Sequence, residues 1–190
     1  MTRWEPGAAE RLAQAALDLY AERGFEQTTV AEIAKRAGLT ERTFFRHYAD
    51  KREVLFAGGA TLQEVMVRGV LDAPAAAAPI AAVAAGLQAG AEVLEGRRDF
   101  AGRRAAVIAA SAELQERELI KMSTLGAALA DALRGRRVAE PTASLTAQAG
   151  IAVFHVAFAR WIEEGTEREL AAIIRESLDE LKAVTAARGS

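Results

Sequence analysis

Two arginines four residues apart, Arg42 and Arg46, are the side chains in this sequence best suited to act on another molecule. On a helix that spacing puts both on one face. A guanidinium pairs bidentately with the edge of a guanine or with a phosphate. Glu41, Thr43, Phe45 and His47 share the outer face, and Thr28, Thr29, Thr40, Tyr48 and Lys51 stand near helix starts or at its far rim. Hydroxyls, a ring nitrogen, an ammonium and helix N-terminal amides all suit phosphate contact, and a threonine methyl can meet a thymine methyl. This is recognition chemistry. Catalytic sets are scarce: there are two histidines and no cysteine, and neither histidine has a glutamate three residues before it. Glycine motifs for phosphate or dinucleotide binding are missing too. The reading therefore assigns no catalytic residue, no metal site and no cofactor.

The elements that must hold such a face are helices. Strand signals are nearly absent and 3.6-residue periodicity is widespread. A first helix is predicted over Ala8–Arg23, with Leu12, Ala16, Leu19 and Tyr20 buried, ended by a left-handed Gly24 with Phe25 folding back on it. Thr29 and Glu32 have capping-box spacing and open a second helix carrying Val30, Ile33, Ala34 and Ala37 inward. Gly38 and Leu39 follow, and Thr40 caps a short third helix, Glu41–Tyr48. Asp50 and Glu53 open a fourth helix that includes Gly58-Gly59 and, with the first, clamps the two short ones. Helix, tight glycine turn, helix is a helix-turn-helix. A proline-bounded alanine stretch, Asp72–Pro79, is predicted as a loop. Helices are then expected over about 80–95, 100–111, 113–134, 141–164 and 166–187, punctuated by Gly96, Gly135, Pro141 and Gly165.

Charge supports one basic spot on an acidic body. Lys35, Arg36, Arg42, Arg46, Lys51 and Arg52 face only Glu41 and Asp50 in that window, while the whole chain carries a formal charge of −2. A protein that meets a polyanion at one place has this pattern. The absence of cysteine fits a reducing compartment. No apolar run approaches the roughly 18 residues of a membrane span, and Met1–Gly7 has no apolar signal core. The expectation is a cytoplasmic protein without membrane contact. The Arg97-Arg98 and Arg103-Arg104 pairs read as solvated.

A generic helix-turn-helix pattern is weakly specific. Here the run Gly24-Phe25, Thr28 to Ala34, Ala37-Gly38-Leu39-Thr40, Thr43 to Tyr48 and Asp50-Lys51 resembles the DNA-binding domain of the TetR family, over about the first 55 residues. The resemblance implies an all-α protein with a DNA-binding head at 1–55 and a helical effector-binding and dimerisation body at 56–190. It also implies a homodimer on palindromic double-stranded operator DNA, usually a repressor released by a small molecule. The family commonly has tyrosine where this chain has Phe45, which cannot donate to a phosphate and would offer apolar contact to a sugar or thymine methyl. The alternative is a helical dimeric adaptor without DNA binding, and a small helical enzyme ranks below it.

In the body, the 141–164 helix is apolar around most of its circumference, and the following helix has a stripe at Leu170, Ile174, Leu178 and Leu181. The dimer seam is expected at Ile151, Phe158 and Trp161 with that stripe. An apolar or amphipathic effector is expected among helices four to eight, with Met66, Phe100, Met122, Phe154, His155 and Phe158 as candidate lining. The bland alternatives are a satisfied structural role for His155 and gap filling by Met66 and Met122.

Overall fold

The computed structural model describes residues 7–163 and 167–186. All regular structure among them is helical: α1 (Ala8–Arg23), α2 (Val30–Arg36), α3 (Glu41–His47), a 3-10 turn at Glu53–Leu55, α4 (Gly59–Asp72), α5 (Pro79–Glu95), α6 (Arg98–Ala109), α7 (Ala112–Gly135), α8 (Thr142–Ile162) and α9 (Leu170–Ala186). The all-α expectation stands. Of the sequence readings, the segment before Gly7, the break at Gly165 and the extreme ends of the last helix lie outside the described residues.

The chain divides into two compact units. The first holds residues 1–59 and also 103–119, and the second holds 60–102 and 120–190. The first unit thus takes in the end of α6 and the start of α7 as well as the first three helices. This differs from a head made of the first 55 residues alone. It also changes the clamp on the two short helices. The predicted fourth helix is interrupted after Leu55, and Gly58-Gly59 mark the start of α4 rather than its interior. The carboxylate of Asp50 caps the 3-10 turn instead, accepting from the backbone N–H groups of Arg52 at 2.8 Å and Glu53 at 3.2 Å.

In the second unit α5, α8 and α9 pack on one another. Buried residues on α8 fall at Ala143, Ala147, Gly150, Val153, Phe154, Ala157 and Trp161, an inner stripe with helical period. Leu170, Ile173, Ile174 and Leu178 of α9 join the same core. Where α4 meets α5 the backbones nearly touch: a Cβ added at Gly86 would lie 2.5 Å from the Met66 carbonyl oxygen, and one at Gly90 would lie 2.3 Å from the Met66 methyl. The small residues of α5 are therefore used for tight packing here.

Two stretches, Glu53–Asp72 and Thr142–Ile162, are long and apolar enough to cross a membrane by length and composition. The sequence reading expected none. For α8 the apolarity reflects an inner stripe in the body's core together with Leu145, Ala152, Val156 and Ala159 on its outer face.

Candidate DNA-binding site

Everything in the head serves to hold α3 with one face out. Thr29 caps α2, and Glu32 closes the box by accepting from the Thr29 N–H at 2.9 Å. That backbone hydrogen bond is the first of the causes holding the Glu32 carboxyl below its usual range, followed by the Thr29 hydroxyl and Arg23. The turn after α2 is a Schellman motif. Leu39 N–H donates to Ala34 O at 2.8 Å and Gly38 N–H to Lys35 O at 3.1 Å, with Gly38 at φ +67°. Thr40 then caps α3 by accepting from Thr43 N–H. Gly24 ends α1 with φ +88° and ψ 159°, an extended positive-φ conformation open almost only to glycine, in place of the expected helical left-handed one.

Phe44 is fully buried and meets Tyr48 at 5.5 Å between ring centroids. One residue later, Phe45 is 56% exposed and packs edge-on against Phe44. Glu41, Arg42, Arg46 and His47 are exposed beside it, and Thr43 is half-exposed. The sequence-predicted face is thus brought together on one side of α3. Arg42 and Arg46 have no ion pair or hydrogen bond among the described residues, and neither has Lys35 on α2.

Three of the candidate phosphate contacts serve the head itself. Thr28 is buried and its hydroxyl donates to Gly24 O at 2.9 Å. Tyr48 is buried at the C-cap of α3 and donates to Ala9 O at 2.9 Å, and burial raises its pKa. Lys51 Nζ donates to the carbonyls of Phe25 at 2.9 Å and Thr28 at 3.1 Å. Beside it, Tyr20 donates to Lys51 O at 2.6 Å, and its pKa is raised by burial first and by Asp50 second.

The basic window is also narrower than its composition. Arg36 pairs bidentately with Glu22 at 3.0 and 2.9 Å, and Arg52 pairs with Asp50 and Glu113. Among the described residues, Lys35, Arg42 and Arg46 keep their positive charge without a partner, while the Lys51 ammonium donates to backbone carbonyls. Partners 14 and 61 positions away in the chain leave no trace in local spacing.

The arginines read as solvated have partners as well. Arg103 pairs with Asp18 at 2.6 Å. Arg104 donates to Leu55 O at 2.7 Å, pairs bidentately with Glu118, and lies 4.8 Å over the Phe56 ring. Arg117 pairs with Glu53 at 2.6 Å. Residues 103–119 are thereby tied to α1 and the 3-10 turn, work the sequence reading gave to helix four.

The effector candidates are scattered within the body. Met66 and Phe154 are core, Met122 and Phe158 are half-buried against it, and Phe100 is half-buried on α6. His155 is exposed on the outer face of α8, so it is neither a core histidine nor a cavity wall. Two clefts of about 380 and 400 Å³ open on the surface of α9, one beside Arg160 of α8 and one beside Ile80, Ala84 and Gln88 of α5. None of the six candidates lines either.

Four of the seven seam candidates need correction. Trp161, Leu170, Ile174 and Leu178 are buried in the protomer's own core, and Ile151, Phe158 and Leu181 are half-buried against it. The first four are covered within their own unit and offer a second copy no surface, whereas the last three keep part of theirs open. The apolar face left open on α8 is Leu145 (66% exposed), Ala152, Val156 (54%) and Ala159.

Comparison with known proteins agrees with this geometry. The family model for bacterial regulatory proteins of the tetR family matches residues 12–57, and that for the MftR C-terminal domain matches residues 77–186. The HTH-type transcriptional regulator TcmR of Streptomyces glaucescens is 34% identical over 80 residues, 42% of this chain and 35% of TcmR. The chain thus spans about a third of that relative's length. Among solved structures, Thermus thermophilus FadR in complex with lauroyl-CoA superposes with a TM-score of 0.58 at 24% identity, covering 96% of this chain and 97% of FadR. SmeT, the repressor of the Stenotrophomonas maltophilia efflux pump SmeDEF, superposes in its triclosan complex with a TM-score of 0.67 at 20% identity, covering 93% of this chain and 90% of SmeT. With one family model matching the head and the other covering more than half of the sequence, the chain belongs to the TetR family of bacterial regulatory proteins.

Proposed function

We propose that this protein is a cytoplasmic, homodimeric transcriptional regulator, a repressor that leaves its palindromic operator when a small molecule binds. The observation that carries the reading is the face of α3, where Arg42 and Arg46 stand exposed and unpaired on a helix held by Phe44 and the Thr40 cap. Arg42 and Arg46 read base edges, and Phe45 contributes apolar contact to a sugar or thymine methyl. Lys35, His47 and the backbone around Thr29 and Thr40 fix register on phosphates.

The second copy docks on the open α8 face at Leu145, Ala152 and Val156. Two-fold pairing places two recognition helices one DNA turn apart. The effector is apolar or amphipathic, in keeping with the lauroyl-CoA and triclosan of the two solved relatives and with the apolar walls of the body. No catalysis is assigned. The test is fluorescence anisotropy on operator-length duplexes drawn from the flanking intergenic DNA. Binding at physiological salt with preference over random duplex supports the regulator. Equal, weak binding to every duplex would favour a helical adaptor.

A further inference from the structure

We propose that the indole N–H of Trp161 is the polar anchor of the effector site, and that the effector it selects is an apolar acid bound as its carboxylate or phenolate anion. The proposal rests on the effector-released reading above and gives it a residue and a chemical class. Trp161 is fully buried on α8, and its Nε1 has no hydrogen-bond partner among the described residues. An indole N–H is a donor only. Native interiors leave very few such groups unmet, so an unmet one marks a place where an acceptor belongs.

The surroundings describe the rest of the molecule that would bring it. The Phe158 ring lies 5.8 Å from the indole, and the Phe154 ring lies 5.9 Å from that of Phe158, tilted by 35°. Phe158 and Ile162 are half-buried, which puts the indole one side-chain layer beneath the surface of its unit. The guanidinium of Arg98 sits 5.8 Å from the Trp161 ring while donating to Glu163 O at 3.1 Å. An apolar body satisfies the phenylalanines. An acceptor satisfies the N–H, and a negative one gains most from a neighbouring cation. A purely apolar molecule would leave the donor unmet, and so would a cationic one, which brings no acceptor to it.

The test uses decanoate, below its micelle-forming concentration, against decyltrimethylammonium, which shares the chain and lacks the acceptor. Trp4→Phe leaves Trp161 as the sole tryptophan, so its emission reports occupancy directly. Trp161→Phe keeps a ring and removes the donor. Decanoate should shift the Trp161 emission while the cation does not. By calorimetry, Trp161→Phe should bind decanoate at least tenfold more weakly, with an unfolding midpoint no lower than wild type. Equal decanoate affinity in Trp161→Phe overturns the proposal, as does an emission response to both chains or to neither. If Trp161→Phe does not fold, the emission comparison decides. Operator binding without any added chain is measured in parallel. Its failure would sink the regulator reading, whereas the decanoate result bears on Trp161 alone.

Discussion

The ammonium of Lys51 lies 4.2 Å over the ring of Phe25 and donates to the carbonyl oxygen of that same residue at 2.9 Å. One cation thus fixes both the side chain and the backbone of the turn between α1 and α2. Lys51→Ala removes the donor for the Phe25 and Thr28 carbonyls together with the cation–π contact. The head should lose about 1–3 kcal/mol, read from urea unfolding. The salt dependence of DNA affinity should change little. An unaltered unfolding midpoint with a salt slope lowered by about one unit would assign Lys51 to a phosphate instead.

Arg42→Ala and Arg46→Ala are expected to cost about 1–3 kcal/mol each on operator DNA and to relax preference at one position per half-site. Binding-site selection from a randomised duplex pool checks this. Loss of equal size on operator and random DNA would mean phosphate contact rather than base reading.

Assembly should depend on the outer face of α8 and be indifferent to the inner face of α9. Leu145→Glu with Val156→Glu puts charge on exposed positions of the protomer, so the fold should survive while sedimentation shows a monomer. Ile174→Glu buries an unpaired carboxylate in the core, and the protein should unfold instead. Dimers that persist in the Leu145→Glu, Val156→Glu protein would move the seam elsewhere.

These contrasts mark where the sequence could be read. Helix limits, the Thr29 and Thr40 caps and the exposed face of α3 are local features, set by side chains within four positions of one another, and they were legible. Pairing across distance was not. Arg36 meets Glu22, Arg52 meets Glu113 and Arg104 meets Leu55 only once the helices are placed. Four of the seam candidates were misread for a related reason. Leu170, Ile174 and Leu178 form a clean apolar stripe, and periodicity reports that a stripe is covered without reporting whether its own chain or a second copy covers it. The break after Leu55 was missed because Asp50 and Glu53 have the spacing of a helix start, while the carboxylate of Asp50 caps a single 3-10 turn.

The carboxyl of Asp50 is held below its ordinary pKa chiefly by the Arg52 side chain, against a smaller upward push from burial and with help from the Glu53 and Arg52 N–H groups. A depressed folded-state pKa stabilises the fold above the unfolded value of about 3.9 and stops doing so as pH falls through the folded value. Asp50→Asn keeps an acceptor and loses the charge. The variant should be less stable than wild type at pH 7, and the gap should close below about pH 3.9. Urea midpoints across that range test it; a gap independent of pH would point to geometry rather than charge.

Gly58 and Gly59 have open space within 4 Å of any added Cβ, and neither has positive φ. Close packing does not require them. Alanine at both should preserve the fold and stabilise it by about 0.4–1 kcal/mol per site through the unfolded chain. If their freedom serves effector release, the doubly substituted protein should keep its operator affinity without effector and respond less when effector is added. Misfolding of the variant would contradict the open surroundings, and an unchanged response would remove the pair from the switch.

The first unit, the proposed DNA-binding head, is not a detachable cassette. Its 3-10 turn is held by Arg104 and Arg117, which the chain supplies only after α4 and α5 have been made. A hybrid repressor built by joining the first 59 residues to a foreign body would leave the Leu55 carbonyl, the Phe56 ring and the Glu53 carboxylate without these arginines. Exchange of specificity within the family would carry residues 103–119 along with the head, or be confined to the exposed positions of α3. Drift toward a new operator would then run through Arg42, Phe45 and Arg46, residues whose replacement disturbs no partner among the described residues beyond the edge of Phe44.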